Sequence, residues 1–128
     1  MAVVAKTATL YRPVGLMEWE LIEKSGRLSF PPRLEWQPIF YPVLTLEYAV
    51  KIARDWNTRD PKSGYVGLVT EFDVDASYLS RFSEHTVGGS ECRELWVPAE
   101  QLGEFNRHIR GPIRLVSVFR GSRARQPP

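Results

Sequence analysis

The stretch IFYPVLTLEYAVKIARDWN, residues 39–57, decides how the middle of the chain folds. Its opening residues, Ile39 to Tyr41, are apolar and aromatic, a composition that favours a β-strand. Thr45 is a typical N-cap residue and precedes a helix predicted over Leu46 to Asp55. The stretch therefore predicts a short strand that leads into a helix.

Phe40 and Tyr41 stand just ahead of this helix, which needs neither of them for its own stability. Successive side chains of a strand point to opposite faces, so one ring is expected in the core and the other away from it. Tyr41 is favoured for the outward position because its hydroxyl needs a polar partner when buried. The outward ring is either plain surface or the wall of a pocket.

Upstream, TLYRPV (residues 9–14) predicts a first strand that ends at Pro13. GLMEWELIEKSG (residues 15–26) predicts a short amphipathic helix closed by Gly26, because glycine readily adopts the left-handed backbone of a helix C-terminus. FPPRLEWQP (residues 30–38) carries three prolines and predicts a stiff loop with a defined path.

Downstream, the pattern of turn residues and apolar runs divides the chain into further elements. It predicts a turn at 59–64, a strand at 65–74, a helical turn at 75–82, a loop at 85–90 and a strand at 94–98. A helix is predicted at 99–109, Gly111 and Pro112 end it, and a strand follows at 113–119. We expect an α+β fold: a single compact domain (1–119) with mixed, mainly antiparallel sheets, short helices and five or six strands, followed by a disordered basic tail (120–128).

The composition of the 128 residues, with 43% hydrophobic and 25% charged, is typical of a globular protein. The net charge of +2 includes three arginines in the last nine positions, which makes a nucleic-acid surface unlikely in the rest. No apolar run is long enough to span a bilayer, and the first residues do not have the order of a signal peptide, so we expect a cytoplasmic protein without a membrane partner. The single cysteine excludes an internal disulfide, and two histidines with it make a structural zinc site improbable.

The order of these elements resembles the ADP-ribosyltransferase family. TLYRPV places Arg12 near the end of the first strand, ELIEKSG supplies the helix and Gly26, and IFYPVLTLEYA supplies an aromatic strand and a helix with Ala49. RELWVPAEQL places Glu94 at the start of a short apolar strand, as the family does with its glutamate. The combination of LYRPVG, FPPR, IFYPVL and ARDWN is also similar to a group of small bacterial proteins named for ADP-ribosylation.

The resemblance implies an ADP-ribosyltransferase-like fold that binds NAD as a substrate and transfers ADP-ribose to an acceptor, a protein among the candidates. Glu94 and Tyr41 would be catalytic: the carboxylate aligns the ribose and favours an oxocarbenium-like state, and the ring packs on nicotinamide. The residues implied in NAD binding are Arg12, Tyr11, Phe40, Tyr48 and Arg33. No metal is implied.

Three departures from the family's patterns favour a second hypothesis. Pro13 follows Arg12 and has no N–H to donate, FYP replaces a serine-threonine-serine strand, and Cys92 stands where a second glutamate is expected. A catalytically inactive module of the same fold, binding a protein partner through the cleft or the proline-rich loop, is consistent with all three.

Overall fold

The computed structural model describes residues 6–124. Within them the chain forms six strands and four α-helices. In chain order these are β1 (Thr7–Val14), α1 (Leu16–Lys24), β2 (Ile39–Phe40), α2 (Leu46–Asp55), β3 (Val66–Asp75), α3 (Ala76–Leu79), β4 (Ser83–Thr86), β5 (Arg93–Pro98), α4 (Leu102–Arg107) and β6 (Ile109–Arg120). The predicted α+β class is confirmed, and no helix in this range is long and apolar enough to cross a membrane.

The strands form two three-stranded antiparallel sheets, in the orders β1-β3-β6 and β2-β5-β4. Val43 connects them, because it forms a bridge to Tyr11 on one side and to Glu94 on the other. Its N–H donates to the Tyr11 carbonyl at 2.7 Å and its carbonyl accepts from the Tyr11 N–H at 3.0 Å. The quoted stretch therefore joins the two sheets before it becomes α2.

The helix predicted at 46–55 has the bounds of α2, and the Thr45 side chain accepts from the Tyr48 N–H as an N-cap. The prediction that Pro13 ends the first strand is wrong, because β1 continues to Val14. Tyr11 directs its N–H outward to Val43, so the nitrogen of Pro13, two residues on, also points away from β3. On that edge a missing N–H removes no hydrogen bond of the ladder.

The second half of the chain differs from the prediction at β4, at the helix after β5 and along β6. His85 and Thr86, predicted in a loop, belong to β4 and pair with Glu94 and Arg93. The helix predicted at 99–109 is a 3-10 turn followed by α4, and Ile109 already belongs to β6.

Gly111 and Pro112 lie inside β6 and do not separate a helix from a strand. Gly111 has a φ of 77°, and the register between β3 and β6 shifts between Glu71 and Asp73, so the strand absorbs the pair as a bulge. The segment predicted as a tail begins within this strand: Arg120 pairs with Val66, and the Gly121 N–H donates to the Tyr65 carbonyl at 2.8 Å. Residues 125–128 lie outside the described residues.

The main core lies between the two sheets and is built around four buried rings, which we call the phenylalanine core: Phe30, Phe40, Phe72 and Phe105. Their centroids lie 4.8–6.2 Å apart in tilted or edge-on pairs. A smaller cluster packs α2 on the other face of β3, through Val43, Ala49, Ala53 and Val69. At Gly67 a β-carbon would overlap the Ala53 carbonyl oxygen, so only glycine lets α2 approach β3 this closely.

Candidate functional site

An open cavity of about 460 Å³, the Glu94 cavity, lies where β1, β5 and α2 meet the segment between β2 and α2. Arg12, Tyr41 and Glu94 all line it, so the structure brings together three residues predicted from different parts of the sequence. The remaining lining residues are Pro13, Val43, Ile52, Asn57, Val87 and Trp96. A concave site with an apolar wall and a few convergent polar groups is the usual form of a small-molecule site.

The carboxylate of Glu94 is held by two uncharged donors. The Trp96 indole N–H donates to Oε1 at 2.9 Å, and the Tyr48 hydroxyl donates to Oε2 at 3.2 Å. Among residues 6–124 no cation forms an ion pair with Glu94. The carboxylate is therefore fixed in direction while its negative charge is left uncompensated at the cavity wall.

Tyr48 contributes through Glu94 and is not itself a wall of the cavity. Burial, together with the nearby negative charge of Glu94, raises the pKa of the Tyr48 hydroxyl to about 12. The phenol therefore keeps its proton at neutral pH and remains a donor to the carboxylate.

Tyr48 and Trp96 hold this carboxylate, and Tyr41 and His85 pack on Trp96; we call these four side chains the Glu94 aromatic cluster. The Tyr41 ring meets Trp96 edge-on at 6.0 Å, and the His85 ring stacks on Trp96 at 3.8 Å with 19° between the planes. Tyr41 is 36% exposed, whereas its neighbour Phe40 is 1% exposed. The expected alternation of the two adjacent aromatics is present, with Tyr41 as the ring at the cavity.

His85 and Trp96 had no role in the sequence prediction. Trp96 follows Glu94 by two residues on β5, so the two side chains share one face of the strand, and this spacing was the available signal. His85 sits opposite Glu94 in the β4–β5 pair, a placement that only the register of the hairpin defines.

Arg12 forms the wall at the other end of the cavity. Its guanidinium donates to Glu18 at 2.7 Å and 2.9 Å, lies 4.7 Å from the centre of the Phe40 ring, and is 8% exposed as a residue. The positive charge of Arg12 is thus compensated by Glu18 on α1. The two N–H groups that could bind a phosphate in a bidentate contact already donate to this carboxylate. The structure supports Arg12 as an oriented wall more than as a free phosphate clamp.

A second concavity of about 340 Å³, the Arg33 hollow, adjoins the first and shares Arg12, Pro13 and Asn57 with it. The Arg33 Nε donates to the Ile39 carbonyl at 3.1 Å, and within residues 6–124 Arg33 has no carboxylate partner. Burial and the nearby charge of Arg12 lower the pKa of its guanidinium. A half-buried cation without an anion favours a ligand that brings negative charge.

Two residues predicted to bind a nucleotide lie elsewhere. Phe40 belongs to the phenylalanine core, 5.1 Å from Phe30, because its side of β2 faces the other sheet. Tyr11 packs beside the small α2 cluster and lines neither concavity. Burial, together with the negative charge of Glu71, raises the pKa of the Tyr11 hydroxyl.

Comparisons of the chain with protein-family models, with curated proteins and with solved structures found no match. Within residues 6–124 no group of three His, Cys, Asp or Glu side chains has the arrangement of a metal site.

Proposed function

We propose that the protein binds NAD or a related ADP-ribosyl nucleotide and transfers ADP-ribose from it to an acceptor. The observation that carries this proposal is Glu94, a carboxylate that is fixed by the Tyr48 hydroxyl and the Trp96 indole, faces an open cavity and forms no ion pair among residues 6–124. Such a group favours positive charge that develops on a bound substrate.

The reaction breaks the bond between the nicotinamide nitrogen and C1′ of the ribose, and the bonding electron pair leaves with neutral nicotinamide. Positive charge then develops on C1′ and the ring oxygen, and an acceptor nucleophile forms the new bond at C1′ and releases a proton. Glu94 stabilises this charge and orients the ribose hydroxyls, and the half-exposed Tyr41 ring packs against nicotinamide.

The Arg33 hollow suits the remainder of the dinucleotide. Arg33, which forms no ion pair among residues 6–124, offers its positive charge to the diphosphate, and the ring of Trp36, 70% exposed and lining the hollow, offers a stacking surface to adenine. The two concavities adjoin at Arg12, Pro13 and Asn57, and we propose that one extended ligand occupies both.

Titration calorimetry with NAD and a chromatographic assay of nicotinamide release test the proposal. We expect saturable NAD binding that Arg33→Gln weakens, and nicotinamide release that Glu94→Gln reduces about 100-fold while NAD binding persists. Glu100→Gln, at an exposed glutamate outside both concavities, is the matched control and leaves both unchanged. NAD titrations without heat, confirmed by an unshifted melting temperature, contradict the proposal.

A second function is favoured by one specific observation. Four exposed apolar side chains, Met17, Leu21, Leu34 and Trp36, border the Arg33 hollow. An apolar patch of this kind is typical of a protein-interaction surface, so a non-catalytic module would use it to dock a partner. Absence of NAD binding, together with capture of one partner that Trp36→Ala abolishes and Tyr41→Ala does not, would identify this function.

A further inference from the structure

A third concavity lies where the residues after β6 pack on the connection between α2 and β3. This C-terminal hollow of about 300 Å³ is lined by Thr58, Arg59, Tyr65, Ser122 and Arg123. The Gly121 N–H donates to the Tyr65 carbonyl at 2.8 Å, and a β-carbon at Gly121 would overlap the Thr58 carbonyl oxygen. The two segments are therefore closely packed, and none of the lining residues belongs to the Glu94 cavity or to the Arg33 hollow.

Two positive charges meet in this hollow without an anion. Within residues 6–124 neither Arg59 nor Arg123 forms an ion pair. The neighbouring acids form no ion pair with either arginine: Asp55 accepts from Arg54 at 3.0 Å, and Asp60 accepts from the Lys62 N–H and from the Ser63 hydroxyl. The charge on the two arginines is left for a ligand.

The hydroxyls of the hollow add donors to this charge. The Thr58 hydroxyl already donates to the Arg54 carbonyl, but those of Tyr65 and Ser122 have no hydrogen-bond partner among residues 6–124. Two guanidinium groups with two free hydroxyl donors match the charge and the oxygens of a phosphate monoester dianion better than those of a carboxylate.

An aromatic surface adjoins the hollow. Arg59 also lines a shallow groove with Asp55, Asp60, Pro61 and Trp56, the residue that follows α2 and is 73% exposed. An exposed indole beside a phosphate-binding group gives a base a face on which to stack. The ligand class indicated by both features is an aromatic base joined to a terminal phosphate.

We propose that this surface is a second ligand site, which takes the phosphate of a nucleoside monophosphate between Arg59 and Arg123 and its base against Trp56. The site is independent of the proposed function, because NAD has no terminal phosphate and neither arginine lines the Glu94 cavity.

The test is calorimetric titration of AMP in a buffer without phosphate. We expect saturable binding that Arg59→Gln and Arg123→Gln each weaken at least tenfold, while Arg107→Gln, which removes the same charge from an exposed position on α4, changes it less than twofold. Adenosine and ribose 5-phosphate, each lacking one half of the ligand, are expected to bind at least tenfold more weakly than AMP. Circular dichroism confirms that the variants fold.

Several outcomes overturn the proposal. If AMP fails to bind, or if Arg107→Gln weakens AMP binding as much as Arg59→Gln and Arg123→Gln do, the hollow has no specific site. Equal affinity for ribose 5-phosphate and AMP removes Trp56 from the site. AMP binding that Arg33→Gln abolishes and Arg59→Gln leaves intact places the ligand in the Arg33 hollow, a result that contradicts the C-terminal site and leaves the proposed dinucleotide function standing.

Discussion

The molecule contains two groups of aromatic side chains that lie side by side and differ in almost every physical respect. The phenylalanine core is buried between the sheets, and its rings contact one another, other apolar side chains and, at Phe40, the Arg12 guanidinium. The Glu94 aromatic cluster is half-exposed, and its order comes from polar contacts to a single carboxylate and from ring stacking. The boundary between the two groups runs through the peptide bond that joins Phe40 and Tyr41.

Two carboxylates at the edges of these groups, Asp75 and Glu94, differ in whether the fold compensates their charge. Asp75, at the rim of the phenylalanine core, accepts from Arg110 at 2.6 Å and lies 2.9 Å from His108, which in turn stacks on Tyr78 at 3.9 Å. Its charge is compensated within the fold. Glu94 also has a stacked histidine nearby, but its donors are neutral, so its charge is available to a ligand. Folding alone explains the first arrangement, whereas the second is what a binding site requires.

The largest expected effect on stability is the difference between alanine substitutions at the two adjacent aromatics, Phe40 and Tyr41. Phe40→Ala leaves a cavity among four packed rings, so we expect the free energy of unfolding to fall by about 3–5 kcal/mol. Tyr41→Ala removes a ring that is 36% exposed, and the expected loss is below about 1 kcal/mol. Urea unfolding of the two variants measures the difference. Similar losses in both would mean that Tyr41 also belongs to the core and would remove the distinction between the two groups.

Local sequence signals were sufficient for the elements that local physics controls. Thr45 and the helical residues after it gave the bounds of α2, and strand alternation predicted that one of Phe40 and Tyr41 faces the core. Alternation alone did not decide which of the two it is, and Tyr41 was favoured for the cavity only because of its hydroxyl. Proline was misread twice: Pro112 stays within β6 because the strand forms a bulge there, and Pro13 stays within β1 because its nitrogen points away from β3. At Pro13 that side is defined by Val43, a residue distant in sequence.

For the candidate site, the sequence predicted three of the residues but not the contacts that hold them. The order of elements placed Arg12, Tyr41 and Glu94 at one cavity, but the pairing of Arg12 with Glu18 requires the angle between β1 and α1. The contacts of Trp96 and His85 require the register of the β4–β5 hairpin. Neither the angle between β1 and α1 nor the register of the β4–β5 hairpin can be read from the spacing of residues along the chain.

An intermediate effect concerns the compensated carboxylate. Hydrogen bonds from Arg110 and His108 lower the pKa of Asp75 to about 2, against an ordinary value near 4. A folded-state pKa below the unfolded one adds stability that is present above about pH 4 and is lost as the pH falls to about 2. We expect Asp75→Asn to be less stable than the wild-type chain at neutral pH and equal to it near pH 2.

Urea midpoints of both chains across this range measure the effect. If the difference in urea midpoint between wild type and Asp75→Asn is the same at about pH 2 as at neutral pH, the Asp75 charge does not stabilise the fold.

The last prediction concerns both stability and reaction rate, and it is made for Tyr48, the donor that fixes Glu94. Its pKa is raised to about 12 from an ordinary value near 10, so the folded state retains a proton that the unfolded state has lost. Stability from this group is complete below about pH 10 and is lost between about pH 10 and pH 12. Tyr48→Phe removes this pH dependence and is expected to lower the rate of nicotinamide release about tenfold, because the carboxylate loses one of its two donors.

The difference between the tyrosinate absorbance titrations of wild type and Tyr48→Phe isolates this hydroxyl from the other tyrosines. A midpoint near 12 in that difference confirms a phenol that is shielded and bonded to Glu94, and one near 10 shows that the hydroxyl is solvated and cannot orient the carboxylate. The two readouts are independent: a midpoint near 12 with an unchanged rate of release would mean that the Trp96 indole alone aligns Glu94. In that case Trp96→Phe, which keeps a ring beside Tyr41 and His85 while removing the N–H, is the variant expected to slow the reaction.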